Sequence, residues 1–274
     1  MIIWISSYPK SGNTWVRAFL SAYLDESNDE FKLSLINKIG EFPDHNILSK
    51  YMESKNFHNL GEISKHWIRV QEFINLQKKI TFLKTHSALC NINGNVFTNS
   101  NNTLLIIYIV RDPRNVVLSM SNHFGESQDK CFKTIINERY IVYPSIGKQL
   151  IPCTLVGNWS NHYLSWKNMK SIKKIIIRYE DLINNSKNTF EKIINFLSEN
   201  SEIKKDEKKL SRSIDSTKFE NLKKLEDEHG FSMGQKNKFF HLGKDNDWKN
   251  LLDIKIADKI KSIFNSEMKD LDYI

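Results

Sequence analysis

Short apolar runs alternate with longer amphipathic stretches along the chain. The runs with the length of strands are Ile2 to Ser6, Thr103 to Val110, Ile175 to Arg178 and, shorter, Thr81 to Lys84. Helical spacing of apolar residues is found in Thr14 to Leu24, Ser64 to Lys79, Asn115 to Phe124, Leu155 to Met169, Lys187 to Leu197 and Ile254 to Phe264. Continuous apolar strands separated by helices are typical of a parallel sheet buried on both faces. We therefore predict an α/β fold of three layers, with a central, mainly parallel sheet flanked by helices.

Two segments carry neither pattern, residues 139–152 and residues 228–250. Irregular segments of this length within a compact domain are often lids or binding loops. Disordered surface loops are the alternative, but the aromatic side chains of Phe239, Phe240 and Trp248 favour packing. Because the chain has neither a linker nor an internal repeat, we predict a single domain, 1–274, with lids near 139–152 and 228–250.

Composition excludes several classes of protein. Apolar residues make up 40% of the chain and charged residues 26%, which is ordinary for a globular protein. The apolar run Leu104 to Val110 is too short to cross a membrane, and the N-terminus lacks the features of a secretory signal, so we expect a cytoplasmic protein. Three cysteines without ligand spacing predict neither a disulfide framework nor a metal site. The net charge of +8 suits an anionic ligand, although scattered lysines are more often solvated surface; we expect no nucleic-acid partner.

A candidate anion site follows the first strand. The strand is followed by Lys10-Ser11-Gly12-Asn13-Thr14-Trp15, and the next helix begins around Asn13 or Thr14. Backbone N–H groups at a helix start lack intrahelical partners, and the helix dipole adds positive charge, so this geometry collects phosphate. Lys10 supplies a full charge, Gly12 permits close approach, and the hydroxyls of Ser11 and Thr14 can donate hydrogen bonds. An ordinary turn with a capping Ser or Asn is the alternative.

A second strand, turn and helix begins at Thr103. Arg111 follows this strand, Asp112 suits the N-cap of the next helix, and Pro113 suits its first turn. A guanidinium at the carboxyl end of a strand can hold a phosphate with two hydrogen bonds, and Ser119 can lie on the helix face that leads back to the same point. A plain capped turn with an exposed arginine is the alternative here.

These two motifs resemble those of the cytosolic-type sulfotransferase family. Tyr-Pro-Lys-Ser-Gly-x-Thr-Trp is similar to its 5′-phosphosulfate loop, and Arg111 with Ser119 is similar to its 3′-phosphate signature. The resemblance, from residue 3 to about 250, implies a P-loop-like fold that uses 3′-phosphoadenosine 5′-phosphosulfate (PAPS), releases adenosine 3′,5′-bisphosphate and needs no metal. It implies that Lys10 binds the 5′-phosphosulfate and stabilises the departing oxygen, and that Trp15 stacks on adenine. Asn13 stands where many members have Thr.

The resemblance also implies catalytic residues. The catalytic histidine of the family follows a strand in Lys-Thr/Ser-His, which matches His86, and Lys84 matches a lysine near the transferred group. In-line sulfuryl transfer needs a base for the acceptor proton and a cation for the leaving group, and imidazole titrates near neutral pH. His123 and His162, on predicted helices, are the rival bases.

Further matches concern the nucleotide. Tyr179 belongs to a Tyr-Glu-Asp segment whose tyrosine approaches adenine in the family, and Thr217 matches a threonine that contacts the cofactor. Gly243 persists in the C-terminal motif, but the Arg-Lys pair that grips the 3′-phosphate is replaced by His241 and Leu242. Either a nearby side chain compensates, or nucleotide affinity is weaker than usual; the candidates are His241, Lys244 and Lys238.

The predicted function is transfer of a sulfuryl group from PAPS to a hydroxyl or amine of a small-molecule or carbohydrate acceptor. Two alternatives belong to other classes. A P-loop kinase would need Gly-Lys-Ser/Thr and a metal-binding Asp, for which only Asp112 is available. A nucleotide- or polyanion-binding protein without catalysis would not need His86. The oligomeric state stays open.

Overall fold

The computed structural model describes residues 1–27, 30–54, 56–143, 152–231, 238–241, 243 and 246–274. Its strands are β1 Ile2–Ser7, β2 Gly40–Glu41, β3 Thr81–Thr85, β4 Asn91–Ile92, β5 Asn95–Val96, β6 Thr103–Val110, β7 Ile141–Val142, β8 Thr154–Leu155 and β9 Lys173–Arg178. The helices of the first half are α1 Asn13–Leu24, α2 His45–Leu48, α3 Leu60–Ser64, α4 Trp67–Asn75, α5 Pro113–Phe124 and α6 Gln128–Ile135, with a 3₁₀ helix at Leu33–Lys38. Those of the second half are α7 Trp159–Lys167, α8 Tyr179–Asn184, α9 Ser186–Asn200, α10 Glu207–Ser216, α11 Phe219–His229, α12 Trp248–Leu251, α13 Ile254–Ile263 and α14 Asn265–Asp270.

The main sheet has five strands in the order β2-β3-β1-β6-β9. β1 pairs with β3 in parallel, with Ile2 opposite Thr81 and Ser6 opposite Thr85, and β2 also pairs with β3 in parallel. From Ile2 to Ile5 every side chain of β1 is fully buried, as a strand covered on both faces requires. The predicted α/β class, a central and mainly parallel sheet flanked by helices, is confirmed.

Two compact units can be distinguished. Unit 1 comprises Met1–Tyr8, Ile39–Tyr108 and Asn137–Ile176, and unit 2 comprises Pro9–Lys38, Ile109–Ile136 and Ile177–Ile274. The single domain stays a prediction. Both predicted lids extend beyond the described residues; within them, Ile141–Val142 forms β7 and Trp248–Leu251 forms α12.

Each unit has an aromatic core. In unit 1, the ring of Trp4 packs against Phe42, Phe97 and Trp166, and its indole N–H donates to the Thr103 hydroxyl at 2.8 Å. In unit 2, α1 and α9 pack together through Phe19 and Phe190, whose rings stack with centroids 4.0 Å apart. None of the helices in the described ranges has the length and apolar character of a membrane span.

Two predicted helices have different bounds in the structure. The stretch Ser64 to Lys79 is wrong as one helix, because His66, with φ −104° and ψ −7°, separates α3 from α4. The helix predicted from Leu155 begins only at Trp159. There Gly157 has a φ of +70°, and the Asn158 side chain accepts a hydrogen bond from Asn161 N to cap α7.

Among the described helices of eight residues or more, three were not predicted, α6, α10 and α11. Their sequences are rich in Lys, Asp and Glu, so few apolar positions reveal the helical period. α10 buries Leu210, Ser213 and Ile214, and α11 buries Leu222 and Glu226. Polar side chains at buried positions therefore hid this part of unit 2 from a reading based on apolar spacing.

Candidate active site

The loop between β1 and α1 has the backbone of an anion site. Gly12 is the N-cap of α1 with φ 100°, and no side chain caps this helix. The capping Ser or Asn of the alternative is therefore not found among the described residues. The Ser11 hydroxyl is buried and has no hydrogen-bond partner among the described residues. An uncapped helix start with a buried, unused hydroxyl offers donors to an anion.

Glycine is favoured at position 12 by its positive φ and also by the close approach of Tyr179. A Cβ built on Gly12 would lie 2.5 Å from Cδ2 of Tyr179, the first residue of α8. Tyr179 is buried and packs directly against the loop, so the predicted adenine residue and the predicted phosphate loop are in contact.

Lys10 lies at the centre of this loop with a φ of +66°. Its ammonium is 4.2 Å from the ring centroid of Phe239 and forms no ion pair within the described ranges. Burial, together with the charge of Arg111, lowers the pKa of Lys10 from 10.5 to about 7, and Glu226 opposes this shift. The ammonium of Lys10 thus loses its proton more easily than that of an ordinary lysine, and among the described residues no carboxylate contacts it.

The second predicted phosphate residue is in contact with the first loop. Arg111 Nη1 donates to the carbonyl oxygen of Lys10 at 3.1 Å, and the guanidinium carbon of Arg111 lies 4.0 Å from the ring centroid of Tyr179. Asp112 caps α5, as predicted, by accepting a hydrogen bond from Arg114 N at 2.9 Å. Ser119 lies on the same helix with a half-buried side chain. The alternative of an exposed arginine is wrong, since Arg111 is only 6% exposed.

An aromatic cluster adjoins these cations. Trp15 is buried, and its indole N–H donates to the carbonyl oxygen of Thr217 at 2.7 Å. Its ring centroid lies 6.2 Å from that of Tyr179 and 5.8 Å from that of Phe219. A Cβ on Gly243 would lie 2.6 Å from Cε1 of Phe219. Phe219 was not predicted as a site residue, although it stands in the segment that contains Thr217.

The candidates for replacing the missing Arg-Lys pair differ in their surroundings. His241 is exposed, and Lys238 forms an ion pair with Asp227 on α11. Lys244 and Leu242 lie outside the described residues. Nearby, the buried carboxylate of Glu226 accepts hydrogen bonds from the backbone N–H groups of Phe239 and Phe240, at 2.7 and 2.8 Å.

His86 lies in unit 1, where the register of the sheet explains its position. Since Ser6 pairs with Thr85, the next residues, Ser7 and His86, leave the sheet side by side. Nδ1 of His86 is 2.8 Å from the carbonyl oxygen of Ser7. A carbonyl can only accept, so Nδ1 carries the proton, and in the neutral imidazole Nε2 is the basic nitrogen.

Two buried residues, His162 and Tyr108, form a chain of hydrogen bonds to the backbone of His86. This role was not predicted for them. Nε2 of His162 lies 3.2 Å from the carbonyl oxygen of His86, and Nδ1 of His162 lies 2.8 Å from the hydroxyl of Tyr108. The carbonyl requires the proton on Nε2, so the Tyr108 hydroxyl donates to Nδ1. Burial lowers the pKa of His162 to about 3. With both nitrogens engaged, His162 cannot take a proton from an acceptor.

Three other candidates suit their alternative or predicted roles less well in this structure: His123 as a base, Lys84 beside the transferred group and Asp112 as a metal ligand. Burial, followed by the charge of Lys10, lowers the pKa of His123 to about 4. Lys84 pairs with Glu41 at 2.7 Å, because Glu41 lies opposite it in the sheet. Asp112 also binds the guanidinium of Arg114 at 2.6 Å, so its carboxylate is engaged and does not suit the metal ligand of a kinase. Within the described ranges, no three His, Cys, Asp or Glu side chains are grouped to hold a metal ion.

Comparison with known proteins identifies the family. The sulfotransferase domain family matches residues 2–272, and the chain belongs to it. A flavonol 4′-sulfotransferase of Flaveria chlorifolia is 24% identical over 97% of this chain and 78% of its own length. An amine sulfotransferase of Oryctolagus cuniculus is 22% identical over 98% of this chain and 81% of its own length. The predicted class, a PAPS-dependent sulfotransferase, is confirmed.

Solved structures agree on the fold. A mouse sulfotransferase in complex with PAP (adenosine 3′,5′-bisphosphate) superposes with a TM-score of 0.59 at 19% identity, covering 99% of this chain and 86% of that chain. A retinol dehydratase in complex with androsterone and inactive cofactor PAP gives a TM-score of 0.62 at 17% identity, covering 98% and 81%. The chain therefore has the sulfotransferase fold.

Proposed function

We propose that this protein transfers the sulfuryl group of PAPS to a hydroxyl or amine of a small molecule. The observation that carries the proposal is the contact between the two predicted phosphate anchors. Arg111 donates to the backbone of Lys10, and Tyr179 packs against both Arg111 and Gly12. Two cations joined through one aromatic side chain fit a ligand that has two phosphates and an adenine.

The residues present fit the donor in their chemistry. The ammonium of Lys10, the unused hydroxyl of Ser11 and the uncapped start of α1 suit the 5′-phosphosulfate. Arg111 and Ser119 suit the 3′-phosphate. The aromatic residues Trp15 and Tyr179, with Thr217, Phe219 and Gly243 beside them, suit the adenine. Asn13 and Thr14, in the first turn of α1, add polar groups to the same loop.

The proposed reaction is an in-line displacement at sulfur. The acceptor oxygen or nitrogen forms a bond to sulfur and gives its proton to Nε2 of His86, while the bond between sulfur and the 5′-phosphate oxygen breaks. Lys10 stabilises the charge that develops on this oxygen. Lys84 would first have to leave Glu41 in order to contact the transferred group.

The proposed acceptor is a small molecule. Two relatives carry names that refer to a flavonol and an amine, which supports a small-molecule acceptor. A carbohydrate hydroxyl stays a candidate, since its chemistry is the same. The cytoplasm stays the predicted location, on the sequence alone.

The test of His86 uses labelled PAPS and a panel of phenols, alcohols, amines and simple sugars. We expect His86→Asn to slow transfer by about 10²–10⁴-fold, because the acceptor proton loses its base. The Kd for adenosine 3′,5′-bisphosphate should stay within roughly twofold of the wild-type value. His66→Asn, another histidine of unit 1, is the control. Near wild-type turnover of His86→Asn would refute the assignment, and a wild-type protein that binds the nucleotide without transfer would favour the non-catalytic alternative.

A further inference from the structure

The segment after α14 is fastened to the neighbourhood of Arg111. The hydroxyl of Tyr273 donates to Oε2 of Glu180 at 2.9 Å, and the carbonyl oxygen of Tyr273 accepts from Nη2 of Arg114 at 2.8 Å. Arg178 lies over the ring of Tyr273, 5.1 Å from its centroid, and pairs with Asp272 at 3.5 Å. Tyr273 is thus held through its hydroxyl, its ring and its backbone.

Glu180 connects this segment to the predicted 3′-phosphate site. Its second oxygen, Oε1, accepts a hydrogen bond from Asp112 N at 3.0 Å. Asp112 directly follows Arg111, and Glu180 directly follows Tyr179, whose ring packs on the Arg111 guanidinium. The carboxylate of the residue that follows Tyr179 therefore holds the backbone that directly follows Arg111.

The hydroxyl of Tyr273 matters because Glu180 is half-buried. Burial raises the pKa of this carboxyl, and the hydrogen bond from Asp112 N opposes the increase. A carboxylate that is partly removed from water needs donors for its oxygens, and the phenol donates to Oε2. Without it, we expect Glu180 to reorient towards another donor or to take up a proton, and either change loosens its hold on Asp112.

We propose that Tyr273 is a positioning residue of the 3′-phosphate site, which acts through Glu180 to fix the backbone that carries Arg111. The inference rests on the proposed function, since it assumes that Arg111 binds the 3′-phosphate. No contact between Tyr273 and the nucleotide is required. The predicted effect is selective, because it concerns only the ligand that carries a 3′-phosphate.

The experiment compares two nucleotides that differ in this phosphate. We measure the Kd of the full chain for adenosine 3′,5′-bisphosphate and for adenosine 5′-phosphate by calorimetry, with wild type and Tyr273→Phe. We expect the variant to bind the bisphosphate about tenfold more weakly and the monophosphate within roughly twofold of wild type. Glu180→Gln, which keeps the shape of the side chain, should reduce the preference in the same direction.

Tyr23→Phe is the matched control. The Tyr23 hydroxyl donates to the Lys204 carbonyl at 2.9 Å and accepts from Asp206 N at 2.8 Å. The control thus removes two hydroxyl hydrogen bonds elsewhere in unit 2, against the one that Tyr273→Phe removes, and the ratio of the two Kd values should stay unchanged. If Tyr273→Phe leaves the ratio of the two Kd values unaltered, including the case in which both nucleotides bind equally more weakly, the inference alone is overturned. A wild-type protein without preference for the bisphosphate would overturn the proposed function with it.

Discussion

Lys10 combines two properties that suit the binding of an anion, a position fixed by its backbone and a half-buried ammonium that contacts no carboxylate among the described residues. Its ammonium is covered by Phe239, and Arg111 lies close enough to oppose its protonation. Such a group destabilises the folded protein before ligand arrives, and this is common at sites built for anions. The sequence indicates the charge, but not its burial.

The first prediction concerns stability and pH. The pKa of Lys10 is about 7 in the folded protein against 10.5 as the ordinary value, so the unfolded state binds more protons between these values. The destabilisation is complete below pH 7 and is relieved as the pH rises to 10.5. We expect Lys10→Met to raise the free energy of unfolding by about 1–3 kcal/mol at pH 6, and by less as the pH increases.

Denaturant unfolding at several pH values measures this difference. Lys223→Met, which changes an exposed lysine of α11, is the control and should have little effect at any pH. A lower free energy of unfolding in Lys10→Met at pH 6 would mean that the ammonium does not destabilise the fold.

The second prediction concerns Gly12. We expect Gly12→Ala to destabilise the fold by about 1–3 kcal/mol, since φ 100° strains an L-residue and the new Cβ would meet Tyr179. Gly94→Ala is the matched control, because Gly94 has a φ of +88° and open space around its Cβ position. If both variants lose the same stability, the close approach of Tyr179 contributes nothing to the loss in Gly12→Ala.

At the scale of elements, the sequence predicts the loops that follow strands. It does not predict the distant side chains that hold these loops in place. The strand before Lys10 and the strand before Arg111 are visible as apolar runs, and the polar residues follow directly in the sequence. The contacts of His162 with His86, and of Tyr273 with Glu180, join positions 76 and 93 residues apart. Local sequence patterns carry no information about such pairs, so sequence reasoning treated His162 as a rival base.

The third prediction tests the support of His86. Tyr108→Phe removes the donor to Nδ1 of His162, which leaves a buried ring nitrogen without its hydrogen bond. We expect a loss of about 1–3 kcal/mol in stability and a decrease in kcat, with little change in the Kd for adenosine 3′,5′-bisphosphate. A decrease in stability with an unchanged kcat would show that the pair serves the fold alone.

At the scale of the whole molecule, the predicted chemistry is divided between the two units. The proposed base, His86, lies in unit 1, and the predicted nucleotide residues lie in unit 2. The sulfotransferase family match, residues 2–272, spans both sets. In this chain His241 and Leu242 replace the Arg-Lys pair of the family motif, and the effect on nucleotide affinity could not be predicted from motifs.

The central claim is that unit 2 binds a nucleotide with two phosphates at Lys10 and Arg111, and thermal unfolding tests it directly. At a concentration of about one hundred times Kd, we expect adenosine 3′,5′-bisphosphate to raise the Tm by roughly 5–10 °C without Mg²⁺, and more than ATP does. Lys10→Met and Arg111→Met should each reduce this shift. An equal or larger shift with ATP, or one that requires Mg²⁺, would contradict the account.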